Sequence, residues 1–205
     1  MSASLLITCL CSLVALAAAG ASSQLEHPDP VVTDRAIVTT SLGTFSIDLF
    51  GKDAPRTVEN FVGLARQGYF NSLIFHRVAR DFVIQTGDST ATGAGGRSFW
   101  GKPFGDELNQ QTPSYRRGYL RGTVAMANAG PNTNTSQWFV ALRDITALPK
   151  AYTIFGRVHE GMDVVDKIGS VELAPGASTD GRPKVDVVIT SVTIVEPGSK
   201  DGRGW

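Results

Sequence analysis

Cysteine is almost missing from this chain of 205 residues: the only two, Cys9 and Cys11, stand close to its start. If that start is removed, no thiol remains, which excludes a disulfide, a cysteine nucleophile and a thiolate metal site. A domain of this length buries enough apolar surface to do without such staples. Histidine is scarce as well. His27, His76 and His159 are far apart, so no metal and no cofactor is expected. An excess of either charge is also lacking, since 19 Lys+Arg face 19 Asp+Glu. No basic field therefore points to nucleic acid. Nor is there an apolar run of the roughly 20 residues that span a bilayer. The longest, Leu5 to Ala19, has about 15, the size of a signal h-region. Internal repeats and low-complexity tracts are absent.

Small residues follow that run, and Ala19-Gly20-Ala21 offers an A-x-A-like cleavage site. Residues 1–21 are therefore read as a signal peptide cut after Ala21, with Ala19 as the alternative. Once cut, the chain has no stable membrane insertion. No Lys or Arg precedes the run, which keeps a retained signal anchor as the competing reading; a mitochondrial transit peptide is disfavoured because those are Arg-rich. The expected destination is the secretory pathway, either the endoplasmic reticulum lumen or the exterior. Asp201 to Trp205 is not a KDEL-type signal. Residues 22–34, with Pro28 and Pro30, read as an exposed leader, 35–197 as one domain and 198–205 as a short tail.

Within the domain, Arg35–Thr40 and Thr44–Phe50 flank Ser41-Leu42-Gly43, and Phe45, Ile47 and Leu49 alternate with polar residues as in a half-buried hairpin strand. Pro55, Thr57 as a possible N-cap and apolar Val58, Phe61, Val62 and Ala65 predict a helix ended by Gly68. Further strands are predicted at Leu73–Val78, Phe82–Thr86, Gly122–Ala127, Gln137–Ala141 and Thr153–Val158. A second helix is predicted at Met162–Ile168. The last strand, Val185–Val195, carries apolar residues on both faces and should be buried on two sides. Many short strands with few helices indicate a closed or nearly closed barrel whose open ends the helices cover.

Three stretches carry chemistry: Phe75-His76-Arg77, Phe82-Val83-Ile84-Gln85-Thr86-Gly87-Asp88, and the run from Met126 to Phe139, MANAGPNTNTSQWF. In order and spacing these resemble the signature of the cyclophilins, a family of peptidyl-prolyl cis/trans isomerases. The resemblance spans about Arg35 to Glu196. It implies a mainly β fold, a closed eight-stranded antiparallel barrel capped by two α-helices, with the groove on its outer face. Proline-containing polypeptides are the implied partners, as clients of folding in the secretory pathway.

Rotating a peptide bond faces a barrier of about 18–20 kcal/mol. No covalent bond is made or broken, so no nucleophile, acid, base or cofactor is needed. The enzyme has only to favour the twisted state over the planar ones. In that state the amide nitrogen regains a lone pair, and a hydrogen bond aimed at it is worth most when the bond is half rotated. By resemblance Arg77 supplies that bond as the catalytic residue. His76, its neighbour, points to the opposite strand face and is read as a packed structural histidine. The resemblance assigns the proline pocket to Phe82, Val83, Phe139 and Leu148, with Tyr152 beside it. It assigns the substrate backbone to Asn128 main-chain groups and to Gln85 and Gln137, with Gly93, Ala127 and Ala129 keeping the groove open. Thr92-Gly93-Ala94-Gly95-Gly96 lacks the Lys-Ser/Thr of a phosphate loop and reads as a flexible rim.

Departures concentrate in Arg143–Lys150. Ala147 stands where many members carry tryptophan, Tyr152 where they carry histidine, and Val83 where methionine is usual. Since the tryptophan helps the family bind cyclosporin, weakened cyclosporin binding is expected, with isomerisation largely retained. Asn134-Thr135-Ser136 is a glycosylation sequon inside the signature loop, so Asn134 is either a glycan acceptor or an unmodified structural residue.

Overall fold

The computed structural model describes residues 28–195. The expected signal peptide, the start of the leader and the tail 198–205 lie outside the described residues. The hairpin predicted from alternation is present: β1 (Asp34–Thr40) pairs antiparallel with β2 (Gly43–Leu49). The Thr40 hydroxyl closes its turn, donating to the Gly43 carbonyl at 2.8 Å and accepting from Leu42 N–H at 3.1 Å. β2 is not half-buried as expected, because Ser46 and Asp48 are covered as well as Phe45, Ile47 and Leu49. A carboxylate tolerates burial only when paired, and Asp48 accepts from Arg35 Nε at 2.9 Å. The leader is less free than predicted. Thr33 N–H donates to the Leu49 carbonyl at 2.9 Å, and the Asp29 carboxylate lies 2.7 Å from the Arg117 guanidinium.

Next comes α1 (Pro55–Arg66), whose buried stripe Thr57, Val58, Phe61, Leu64 and Ala65 keeps helical spacing. Thr57 is not its N-cap. The cap position is Ala54, and the first-turn N–H groups of Arg56 and Thr57, which have no acceptor within the helix, donate instead to the Glu107 carboxylate at 3.1 and 2.8 Å. A carboxylate there also interacts favourably with the positive end of the helix dipole. The predicted stop holds, Gly68 N–H donating to the Ala65 carbonyl and Tyr69 N–H to that of Leu64. The remaining elements are β3 (Arg77–Ala79), β4 (Val83–Thr86), α2 (Pro113–Arg117), β5 (Thr123–Met126), β6 (Trp138–Ala141), β7 (Ile154–Glu160), α3 (Met162–Gly169), β8 (Asp180–Gly181) and β9 (Ile189–Val195).

Among the described residues nine strands form one curled antiparallel sheet in the order β8-β3-β4-β6-β5-β7-β2-β1-β9, with three helices, where a closed barrel of eight strands with two helices was expected. The additions are short: five residues in α2 and two in β8. The sheet curls until the backbone leading into β3 meets the backbone leading into β9. There Ser72 N–H donates to the Ile189 carbonyl and Ile189 N–H to that of Leu73, each at 2.8 Å. The predicted strand Val185–Val195 begins only at Ile189, and its two-sided burial does not occur. Val185 is 78% exposed, and Thr190 and Thr193 face solvent. No helix among the described residues is long and apolar enough to cross a membrane.

The central strands bury both faces. Inside, Trp138 sits edge-on to Phe61 and Phe75, with ring centroids 5.8 and 6.2 Å apart. Outside, Phe50, Val83, Tyr119, Ala125, Phe139 and Ile154 form a second cluster, and Phe82, Ala127, Leu148 and Tyr152 lie partly buried against it. The edge of this outer cluster is where a groove opens.

Candidate active site

Strand register builds the groove floor. β3 sets Arg77 opposite Gln85 on β4, β6 sets Phe139 opposite Gln85, and β5 sets Ala125 opposite Phe139. Paired residues share a face, so the outer face carries the row Arg77-Gln85-Phe139-Ala125. A second row, Ala79-Val83-Ala141, runs beside it. Alternation sends Val78, Ile84, Trp138 and Val140 inward. His76 is buried, as its parity predicted. Burial holds its pKa below the ordinary value. Asp88 opposes that, while Arg77 and Arg182 reinforce it.

These rows and the two loops above them enclose about 230 Å³, lined by Arg77, Phe82, Val83, Gln85, Ala127, Asn128, Phe139, Leu148 and Tyr152. Sites for drug-sized ligands run to roughly 300–1,000 Å³. This one has the scale of a side chain with its flanking backbone. Tyr152 packs edge-on to Phe139 at 5.8 Å, and Tyr119 locks it from behind. The Tyr119 hydroxyl donates to the Tyr152 carbonyl at 2.9 Å and accepts its N–H at 3.0 Å. Burial pushes the Tyr119 pKa up to about 12. Ala147 is exposed on the same loop.

A polar chain crosses the rim. Arg77 donates through Nε and Nη2 to both Asp180 oxygens at 2.9 and 2.6 Å, and through Nη1 to Gln85 Oε1 at 3.1 Å. Gln85 Nε2 donates to Gln137 Oε1 at 2.8 Å, and Gln137 Nε2 donates to the Gly93 and Gly95 carbonyls at 3.0 and 2.8 Å. Both N–H bonds of Gln137 are thus engaged within the chain. Of the sequence-predicted residues, Gln137 and Gly93 reach the groove through this relay, and exposed Ala129 lies on the adjoining loop, outside the cavity. Asn128 spans the rim, its Nδ2 donating to the Ala151 carbonyl at 2.9 Å. Among the described residues its own N–H and C=O meet no partner, the arrangement an extended peptide uses when it adds to a strand edge.

The glycine-rich rim is ordered from within. The Asp88 carboxylate accepts from Thr90 N–H and hydroxyl, both at 2.8 Å, and from the N–H groups of Thr92 (3.1 Å), Gly93 (2.7 Å) and Gly95 (3.1 Å). Burial alone would raise this carboxyl, but the bonds from Thr90, Gly95 and Gly93 outweigh it and hold the pKa low. The loop resembles a phosphate cradle because it is an anion nest, filled by the chain's own carboxylate. Gly87 enters it at φ +91, where a Cβ would fall 2.1 Å from the Ser136 carbonyl oxygen. Asn134 is fully buried, its Nδ2 donating to the Phe104 carbonyl at 3.2 Å and to Asp106 at 2.7 Å. A glycan on that nitrogen is incompatible with this fold.

Sequence reasoning missed Asp180, which sits in a generic Thr-Asp-Gly turn, and the nest role of Asp88, which lies within a motif it had singled out.

The family model for "Cyclophilin type peptidyl-prolyl cis-trans isomerase/CLD" matches residues 35–194. The chain belongs to the cyclophilin family. This cyclophilin is 46% identical over 174 residues to the peptidylprolyl isomerase domain and WD repeat-containing protein 1 of Mus musculus, covering 85% of itself and 26% of the mouse protein, about a quarter of its length. It is 41% identical over 175 residues to the peptidyl-prolyl cis-trans isomerase CYP18-2 of Arabidopsis thaliana, covering 85% of itself and 99% of that protein. A solved cyclophilin-type isomerase of Cryptosporidium parvum superposes with a TM-score of 0.72 at 30% identity, covering 80% of this cyclophilin and 98% of that chain. A second structure of that isomerase was determined in the presence of the dipeptide Ala-Pro.

Proposed function

We propose that this cyclophilin accelerates rotation of X-Pro bonds in client polypeptides by binding the twisted amide more tightly than either planar form. The observation that carries this reading is the Arg77 guanidinium, anchored at the rim of an apolar groove one side chain wide. The proline ring seats on Phe82, Val83, Phe139, Leu148 and Tyr152. The N–H and C=O of Asn128 pair with the peptide backbone. Asp180 and Gln85 engage three of the five guanidinium N–H bonds, which leaves two for the substrate. One of these, aimed at the pyramidal nitrogen, strengthens as the bond turns, so it lowers the barrier without tightening the ground state.

Clients in the secretory pathway fit the apolar run and small-residue cleavage site of residues 1–21. Recovery of uncleaved full-length chain from the cytosol of secreting cells would remove that assignment. Exposed Ala147, in place of a large ring, leaves less surface for cyclosporin; Ala147→Trp should be inhibited at lower cyclosporin concentration than the parent.

The decisive experiment is the isomerisation rate of a short X-Pro peptide with the full chain and with Arg77→Ala. The variant should lose at least about tenfold in kcat/KM, roughly 1.4 kcal/mol of transition-state stabilisation. A folded parent that binds proline peptides without speeding the flip would make the groove a docking site instead.

A further inference from the structure

Arg77 is held at two points, and only one of them belongs to the signature motifs. The other, Asp180, comes from β8, in the segment between α3 and β9, 103 residues further along the chain. β8 pairs with β3 so that Asp180 faces Ala79. Arg77 lies two positions from Ala79 on the same face, a diagonal of about 7–8 Å that a long side chain bridges. The segment is tied to β3 independently of this contact, Arg80 N–H donating to the Thr179 carbonyl at 2.7 Å and Arg80 Nη2 to that of Val171 at 3.0 Å. It folds back on itself through Ala174 N–H to the Arg182 carbonyl and Lys184 N–H to that of Glu172, each at 2.8 Å. The carboxylate is therefore presented by a fixed frame.

We infer that Asp180 is a positioning residue for the Arg77 guanidinium, an inference that rests on the isomerase reading above. The pair is half-exposed, at 38% and 46%, the setting in which an ion pair adds little to the stability of a fold. Geometry is what it supplies. A single bond to Gln85 lets the planar group swing about that contact, whereas two parallel bonds through Nε and Nη2 fix its plane. They leave the two free N–H bonds pointing away from Asp180. The carboxylate also offsets part of the positive charge, which acts against catalysis. Water screens that effect at a half-exposed site, and nothing screens the loss of a fixed plane.

The test measures X-Pro isomerisation by the full chain in a double-mutant cycle. Asp180→Ala should lower kcat about fivefold with KM within twofold, because the fixed fork acts only on the twisted state. Asp180→Glu should recover more than half of the loss. In an Arg77→Ala background Asp180→Ala should change nothing further. Asp186→Asn, which breaks the neighbouring ion pair to Arg182 (2.8 Å), should leave the rate unchanged. Should the alanine variant fail to fold, Asp180→Asn keeps the size and still cannot hold both nitrogens as a charged pair. An unchanged kcat for a folded Asp180 variant, or an equal fivefold loss in both backgrounds, overturns the inference. A parent chain that does not accelerate the flip overturns the isomerase reading together with it, whereas an active parent with a silent Asp180 variant overturns this inference alone.

Discussion

The two sides of the groove are made differently. The floor is borne on strands: Val83, Gln85 and Phe139 hold their places because β4 and β6 pair in one register, and a slip of one residue would turn them all inward. The rim is borne on loops, and hydrogen bonds hold it: Asp88 to the glycine-rich segment, Gln137 to Gly93 and Gly95, Asn128 to Ala151. The contrast teaches that the apolar subsite is as stable as the sheet, whereas the polar relay can be loosened while the fold stands.

Substitutions on either side test this contrast. The largest effect belongs to the floor. Phe139→Ala should cost about 3 kcal/mol in urea unfolding, at the lower end for a buried phenylalanine because the groove lets neighbours relax, and should abolish measurable isomerisation. If activity fell with no loss of stability, floor and core would be separable and the contrast would fail. Asp88→Ala leaves the N–H groups of Thr92, Gly93 and Gly95 without their acceptor and should cost about 1–3 kcal/mol. It should raise KM more than it lowers kcat. Since the folded Asp88 pKa is depressed, its contribution is complete above the unfolded value of about 3.9 and is lost as pH falls toward the folded one, so acid unfolding of the variant should be shallower. The smallest effect lies beneath the floor. His76 is a base with a lowered pKa, so the unfolded chain takes up its proton first, and stability drains as pH falls below about 6.5. Between pH 7.5 and 5.5 the urea midpoint of the parent should drop more than that of His76→Leu, while turnover stays flat down to the pH at which unfolding begins. A bell-shaped rate profile in the histidine range would show that a titrating group takes part in the reaction.

The floor and the arginine at its end were legible in the sequence through the resemblance of three motifs, and strand register is what brings those motifs onto one face. Gln85 and Phe139 lie in separate motifs and fall opposite one another in the register of β4 with β6. The rim was less legible. A two-residue strand such as β8 has no periodicity to read, and the bond from Asp180 to Arg77 exists only after the segment folds back. Val185 misled for the opposite reason. Its β-branched surroundings resemble a strand, yet that stretch lies in the crossing before β9, where Val187 and Val188 are held by isolated bonds to Phe75, Ile74 and Ser41 while Val185 stays exposed. The sequon at Asn134 matched a three-letter pattern that carries no information about burial.

Glu107 has a bearing on the order in which the chain assembles. Its carboxylate caps α1 from 50 residues downstream, and its own N–H donates to the Thr153 hydroxyl at 2.9 Å, a further 46 residues on. As α1 emerges during synthesis, its first turn lacks an acceptor, and the segment that supplies one is itself fixed only when β7 arrives. The helix start, the Glu107 loop and the late strand therefore consolidate together, in a step of high contact order and correspondingly slow closure. This isomerase therefore completes its own first helix only once the segment before β7 is in place.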